Sequence, residues 1–118
     1  MEPAGFLPLP NLTHLVLLAL AEGDAHGWEI IKRIHAITDR QANPSSGSLY
    51  LAIARMEERG LLAEARAPRG ADARRRYYRL TALARRVLAA ESQRLAGLVE
   101  RARRLDVLGD AAGGRADV

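Results

Sequence analysis

The chain of 118 residues contains no cysteine, a single lysine and few aromatic residues. Without cysteine it can form no disulfide, no thiolate metal site and no thiol nucleophile. Aromatic side chains make up only 4% of the sequence within an apolar fraction of 48%, so the core has to be built mainly from aliphatic side chains. This length suffices for one domain with a modest core, and small cores are often supplemented by oligomerisation.

Long apolar runs are also missing. The segment Leu12–Ala21 is apolar apart from Thr13 and His14, but it has about half the residues that a membrane-spanning helix needs. No basic residue precedes it, whereas a secretory signal carries a basic start. We therefore expect a cytoplasmic protein without membrane contact.

Positive charge is nearly all arginine and is concentrated in one place. The net charge is +4, and Lys32 is the only lysine. The segment 66–79 contains one acidic residue, Asp72, and six arginines: Arg66, Arg69, Arg74, Arg75, Arg76 and Arg79. Arginine use of this kind is also produced by a GC-rich genome. The clustering next to two tyrosines nevertheless favours a polyanionic partner over a solvated loop.

Proline, glycine and capping residues set the limits of the first two helices. Three prolines disfavour helix in residues 1–10, which are expected to form a flexible or extended arm. A first helix is predicted from residue 11 or 13 to residue 22, capped by Asn11 and closed by Gly23. A second helix is predicted from residues 24–26 to residue 38, on the three- and four-residue spacing of apolar side chains. These are Trp28, Ile31, Ile34 and Ile37, with Ile30 beside them.

A third helix is predicted from residue 45 to residue 59. Pro44 disfavours helix at Asn43, and Ser45 offers an N-cap oxygen. Its inward stripe is Leu49, Ile53 and Met56, and its outer face is Ser46, Ser48, Leu51, Ala52, Arg55 and Arg59. Because the middle of that outer face is small or apolar, it suits close approach to another surface.

Two strands and a long helix complete the chain. Residues 61–67 and 73–80 are predicted as strands joined by a turn at 68–72. The last helix is predicted from residue 81 to about residue 108, roughly 40 Å at ~1.5 Å per residue, which exceeds so small a core. Its positions four and three apart form a coiled-coil-like seam: Ala84, Leu88, Glu91, Leu95, Leu98, Ala102 and Leu105. Residues 109–118 are expected to be disordered.

The predicted fold is mainly α, an α+β winged helix-turn-helix with a two-stranded wing and a long C-terminal helix. A short helix with small hydroxyl side chains at its tip fits a DNA major groove. The cationic hairpin beside it fits phosphates. Both parts point to double-stranded DNA as the partner.

Four motifs, in this order, resemble the PadR-like transcriptional regulators: His26–Ile30, Pro44–Tyr50, Glu57–Leu62 and Arg75–Thr81. The likeness covers roughly residues 12–108, as in the short form of that family with one C-terminal helix. It implies a DNA-binding domain at 11–80 and a dimerisation helix at 81–108. It also implies a homodimer on a palindromic operator, usually a repressor, with a possible small-molecule effector near the dimer interface.

The sequence departs from the family pattern at a few positions. Trp28 stands where the family usually has tyrosine, and Ser46 and Ser48 stand where it often has proline and threonine. The long helix has no aromatic residue after Tyr78, so an effector pocket would lack a stacking residue from that helix. The seam residues from Leu88 onward are then expected to form the dimer interface. Within it Glu91 either pairs with an arginine such as Arg94 across the dimer or marks a polar gap.

The residues expected to contact DNA lie on three segments. They are Ser45, Ser46, Gly47, Ser48, Tyr50 and Arg55 on the third helix, Arg74, Arg75 and Arg76 in the hairpin, and His26 before the second helix. Hydroxyl groups bond phosphates or base edges, and Arg55 is the best candidate for a base or deep phosphate contact. Strand alternation sends Arg74 and Arg76 to one face and Arg75 to the other.

Three of these residues also have a purely structural interpretation. Ser45 can simply cap its helix, Tyr50 can be a half-buried aromatic between helices, and His26 can be a local cap. Gly47 would let the helix tip approach the DNA backbone closely. Tyr77 or Tyr78, whichever faces inward, is expected in the core.

Other classes of function have less support from the sequence. No nucleophile-base pair or phosphate-binding glycine loop is present, so we expect neither catalysis nor a cofactor. Asp24 and His26 are the only close metal-capable pair, and they diverge on a helix, so no metal site is assigned. A metal-responsive winged-helix regulator stays an alternative, as does a winged helix used only for protein binding, which rarely needs a cationic hairpin.

Overall fold

The computed structural model describes residues 2–109 of the chain. A short 3-10 helix, Pro3–Phe6, precedes four α-helices and three strands. These are α1 (Asn11–Ala21), β1 (Ala25–His26), α2 (Gly27–Ile37), α3 (Ser46–Glu58), β2 (Leu62–Ala65), β3 (Tyr77–Leu80) and α4 (Ala82–Arg104).

The strands form one antiparallel sheet in the order β1-β3-β2. Leu62 pairs with Leu80 and Ala65 with Tyr77, which makes the predicted hairpin of β2 and β3. Ala25 pairs with Tyr78, so β1 adds a third strand that the sequence analysis did not predict. The winged helix-turn-helix fold is confirmed, but both hairpin strands are shorter than predicted, and residues 73–76 lie outside the ladder.

Side-chain caps fix the starts of α3 and α4. Ser45 Oγ accepts a hydrogen bond from the backbone N–H of Ser48 at 3.1 Å, as expected from the sequence. Thr81 Oγ1 accepts from the N–H of Ala84 at 3.1 Å. Helix α1 differs, because its N-cap position is Pro10 and Asn11 is already helical.

The core lies between α1, α2, α3, the sheet and the first half of α4. On α3 the inward stripe is confirmed, since Leu49, Ile53 and Met56 are all buried. The predicted stripe of α2 is partly wrong. Ile30 and Ile34 are buried, but Trp28 is 59% exposed.

The N-terminal arm packs on the domain instead of extending from it. Phe6 and Leu9 are both buried. The Arg59 guanidinium, just past α3, lies 4.3 Å from the centroid of the Phe6 ring. The prolines correctly disfavoured an α-helix, but the sequence did not reveal that two apolar side chains of the arm join the core.

Helix α4 leaves the core part-way along its length. Ala84, Val87 and Glu91 are its buried residues, whereas Leu98 is 56% exposed. The first half of the seam predicted from the sequence therefore lies inside this chain, whereas Leu98 and Leu105 in its second half are exposed. The C-terminal tail from residue 110 lies outside the described residues.

Candidate nucleic-acid interface

The outer face of α3 is accessible, as a recognition helix requires. The residues Ser46, Gly47, Ser48 and Arg55 are exposed, and Leu51 is 53% exposed. Ser45 is both the cap and an exposed residue, because its hydroxyl also bonds that of Ser48 at 3.0 Å. The two interpretations of Ser45 are therefore compatible in this geometry.

A cleft of about 490 Å³ lies beside this face, between the start of α2 and the wing, which consists of β2, β3 and the residues that connect them. Its lining residues are His26, Gly27, Trp28, Tyr50, Arg74, Arg75, Arg76 and Tyr78. Five of these were expected DNA contacts, and the fold brings them together from segments up to 50 positions apart, as from His26 to Arg76. The cleft lining does not include Arg55 or the serine tip of α3, which is Ser45, Ser46 and Ser48.

His26 is the most connected residue of the cleft and is only 6% exposed. It caps α2 through a capping box. The backbone N–H of His26 donates to Glu29 Oε1 at 3.2 Å, and the ring Nδ1 of His26 faces the backbone N–H of Glu29 at 3.3 Å. Its Nε2 lies 2.6 Å from Nη1 of Arg75, and its ring packs edge-on against Tyr77 at 5.2 Å. The predicted capping role is thus present in the structure.

The two contacts of the His26 ring compete. Arginine and the backbone N–H can only donate, and a neutral imidazole has one nitrogen free to accept. His26 therefore satisfies either Arg75 or the N–H of Glu29, but not both at once.

Acidic neighbours hold the other two arginines of the wing. Arg74 donates from its backbone N–H to Asp72 at 2.9 Å, and this bond is the main reason that the pKa of Asp72 lies below its usual value. Arg76 pairs with Glu64 at 3.3 Å and with Glu57 at 4.0 Å. Residues 73–76 lie outside the strand, with a turn at 73–74, so the alternation predicted for Arg74, Arg75 and Arg76 along a strand is wrong.

Both tyrosines of β3 are buried, Tyr77 at 9% and Tyr78 at 3% exposure. Tyr78 belongs to the apolar core, and burial raises the pKa of its hydroxyl. Tyr77 packs on the opposite side, against His26. The sequence analysis expected only one of the two to face inward, because it did not include β1, which covers the second.

A second cavity, of about 560 Å³, lies between the start of α1 and α3. It includes Leu12, Ser48, Leu51, Arg55 and Arg59 in its lining. Any molecule in this cavity would touch the outer face of α3.

The expected dimerisation residues fall into two groups. Leu88 packs against the core and Glu91 is buried within this chain. Glu91 pairs with Arg94 on its own helix, with Arg94 Nε donating to Oε1 at 2.6 Å. Further along, Leu95 and Ala102 are half-buried, and Leu98 and Leu105 are exposed.

Residues 2–109 hold neither a metal-binding cluster nor a membrane span. No three His, Asp or Glu side chains there lie close enough together to hold one metal ion. Each helix in the same range is too short or too polar to cross a bilayer.

Comparison with known proteins identifies the family. The profile of the family described as "Transcriptional regulator PadR-like family" matches residues 16–90. The chain belongs to this family. PadR-like proteins are transcriptional regulators and not enzymes, as the sequence analysis predicted. No match was found among curated proteins.

Solved structures share the fold of this PadR-like chain. A transcriptional regulator from Clostridium thermocellum is 26% identical with a TM-score of 0.65, over 86% of this chain and 90% of that one. A PadR family regulator from Clostridium difficile is 25% identical with a TM-score of 0.67, over 81% and 98%. Bacillus subtilis PadR, in complex with operator DNA, is 16% identical with a TM-score of 0.59, over 69% and 46%. The last likeness concerns the fold alone.

Two cleft residues of this PadR-like chain, Trp28 and Gly27, were not predicted from the sequence to belong to the site. Trp28 was assigned to the core, although it lies at the mouth of the cleft. Gly27 had no assigned role beyond the family motif. The signal for Gly27 was its place between a capping residue and an aromatic one, at a helix start where glycine is not otherwise favoured.

Proposed function

We propose that this PadR-like regulator binds a palindromic operator as a homodimer and acts as a ligand-responsive repressor. The observation that carries the proposal is the cleft beside α3. It gathers the first turn of α2, the Tyr50 hydroxyl and three wing arginines next to the exposed tip of the recognition helix. Helix starts and arginines both attract phosphate. The complex of Bacillus subtilis PadR with operator DNA supports this use of the fold.

The homodimer is supported by α4. Its second half carries exposed apolar side chains, among them Leu98, Val99 and Leu105. A second copy of α4 would cover such a face, as in coiled coils. Two recognition helices on one side of DNA need half-site centres ~34 Å apart, so the angle between the two α4 helices would control operator affinity.

An effector would act by changing that angle. The cavity between α1 and α3 supports this part of the proposal, because it touches both the recognition helix and α1. A regulator of this kind works where the chromosome is, which implies the cytoplasm.

Binding to a palindrome from the gene's own upstream region tests the proposal, measured across a salt series beside scrambled DNA of equal length. The expected result is tight, sequence-dependent binding with a steep salt slope, since each neutralised phosphate releases counterions. An Arg74→Ala/Arg76→Ala variant should have a lower slope. Equal, weak binding to both DNAs, followed by genome-wide fragment selection that enriches no sequence, would refute operator binding.

A further inference from the structure

We propose that Gly27 is a positioning residue for DNA binding. Because it has no side chain, the Tyr50 phenol can cross the first turn of α2 and present its hydroxyl to a DNA phosphate in the cleft. The inference rests on the proposed DNA-binding function and adds a residue that works only through Tyr50.

The packing of Tyr50 on Gly27 is so close that any side chain at position 27 would displace the Tyr50 phenol. A Cβ atom at position 27 would lie 2.7 Å from Cζ of Tyr50 and 3.1 Å from Cε1, and nearer still to the hydroxyl oxygen. Gly27 is buried, while Tyr50 is 49% exposed. The phenol therefore covers Gly27 and stays open to the cleft on its other side.

Backbone conformation does not explain this glycine. Gly27 is not among the residues with positive φ, and it lies inside the first turn of α2, where alanine is intrinsically better than glycine. The three atoms nearest to a methyl group at this position all belong to Tyr50. Glycine at this position thus lowers the helix propensity of α2, but it leaves the space that the Tyr50 phenol occupies.

The Tyr50 hydroxyl is available to a ligand. It makes no hydrogen bond to any residue in the described range, although its ring lines the cleft with Arg75 and Arg76. Gly27 and Trp28, in the first turn of α2, lie in the same wall, and helix starts favour anions. A phosphate there would meet donors from α2, from the wing and, through Tyr50, from the recognition helix itself.

This arrangement would fix the recognition helix relative to the DNA backbone. Phosphate contacts set register and orientation, while base contacts set sequence preference. Tyr50 lies one turn after the serine tip of α3, so a phosphate held by its hydroxyl would position that tip in the groove. Displacing the phenol should then weaken binding to all DNA sequences together.

The test is a double-mutant cycle with Gly27→Ala, Tyr50→Ala and the double variant, with Tyr50→Phe as the conservative change. We expect Gly27→Ala and Tyr50→Phe each to weaken operator binding about tenfold, as for loss of one hydrogen bond to a charged group. In the Tyr50→Ala background, Gly27→Ala should cause no further loss, because the methyl group then meets open space. Gly97→Ala is the matched control, since that helical glycine has nothing within 4 Å.

Thermal unfolding gives a second readout that needs no DNA. Gly27→Ala should raise Tm more in the Tyr50→Ala background than in the wild-type background, while Gly97→Ala should raise it equally in both. This comparison also covers the case in which Gly27→Ala alone folds poorly, because Tyr50→Ala should then restore its stability.

The outcomes separate the two proposals. If the wild-type chain fails to prefer any operator, the proposed function fails and the DNA role of Gly27 fails with it. If the wild type binds its operator but Gly27→Ala binds equally well, or loses the same affinity in both backgrounds, only the positioning role of Gly27 is overturned.

Discussion

The backbone N–H of Leu9 donates a hydrogen bond to Oε2 of Glu91 at 2.9 Å, joining residues 82 positions apart. Arg94 binds the same carboxylate through Nε at 2.6 Å and Nη2 at 3.1 Å. The arm also carries Phe6, which lies under the guanidinium of Arg59 at the end of α3. The arm therefore connects the recognition helix to α4 at the point where α4 leaves the core.

Replacing Glu91 should loosen the arm. Glu91→Ala removes the acceptor of the buried Leu9 amide, and an unsatisfied buried amide costs about 1–3 kcal/mol. We expect a lower Tm and faster hydrogen exchange at Leu9 and its neighbours. Glu91→Gln, which keeps an acceptor oxygen, should have a smaller effect on both measurements.

Glu100→Gln is the matched control for this experiment. Glu100 forms an exposed i,i+3 pair with Arg103 on the same helix, and exposed pairs contribute little. If Glu100→Gln lowered Tm as much as Glu91→Ala did, loss of charge on α4, and not the bond to the arm, would be the cause.

The effect of Glu91 should also depend on pH. Hydrogen bonds from the Arg94 side chain, followed by the bond from Leu9, lower the pKa of Glu91 from 4.5 to about 2. A carboxylate whose pKa is lowered by folding stabilises the protein fully above the unfolded pKa and stops doing so as the pH falls through the folded pKa. The difference in Tm between wild type and Glu91→Gln should thus be constant from pH 8 to about pH 5.

Below that range the difference should shrink, as the pH falls from about 4.5 toward about 2. Thermal melts of both proteins in matched buffers would measure it. A difference that already changed between pH 8 and pH 6 would mean that a group other than the Glu91 carboxylate is responsible.

Local patterns predicted the helices of the DNA-binding part well, because caps and stops act within a few residues. Ser45 begins α3 through its own hydroxyl oxygen, and this cap was predicted from the sequence. Strand β1 was not readable, because two residues show no periodicity. Ala25 and His26 become a strand only by pairing with Tyr78 and Tyr77.

The residue types of the candidate site were predicted from the sequence, but the contacts that these residues make were not. Trp28 fits the apolar spacing of α2, yet the cleft leaves it exposed, because the buried stripe runs one step away through Ile30 and Ile34. Glu91 looked like a polar break in an apolar seam. Arg94 was named from the sequence as a candidate partner, but the other partner is the backbone amide of Leu9, far away in the sequence, which no pattern in α4 could indicate.

Ser45 caps α3 and is also exposed where DNA could contact it. Two substitutions separate the capping role from the DNA-binding role. Ser45→Ala removes the oxygen that accepts from Ser48, which should cost about 1 kcal/mol of stability and also weaken DNA binding. Ser46→Ala, at a position with no cap bond in the structure, should weaken DNA binding with Tm unchanged. Chemical denaturation and DNA titration of both variants would measure this, and a Ser46→Ala variant as unstable as Ser45→Ala would contradict the assignment of the cap.

The arginines of the wing should contribute unequally to DNA binding. Arg76 is already paired with Glu57 and Glu64, whereas Arg69 has no acidic partner among the ion pairs of the described residues. Arg69→Ala should therefore lower the salt slope of binding by about one unit if Arg69 meets a phosphate. Arg76→Ala should lower it less, because the arginine must leave two carboxylates before it binds DNA. A slope that fell more for Arg76→Ala would show that its acidic partners do not restrain it.

The exposed half of α4 gives the last prediction, which concerns assembly. Leu98 is 56% exposed on the seam, and a second copy of the chain would bury it. Leu98→Glu should shift the protein toward monomer, because an unpaired buried charge is costly at an interface. Tm should be concentration-dependent for the wild type and much less so for the variant.

Arg101→Glu, an exposed charge change on the same half of α4, is the control for charge. Sedimentation velocity over a range of concentrations measures both, and a Leu98→Glu variant with the wild-type dimer fraction would place the dimer interface elsewhere on the chain.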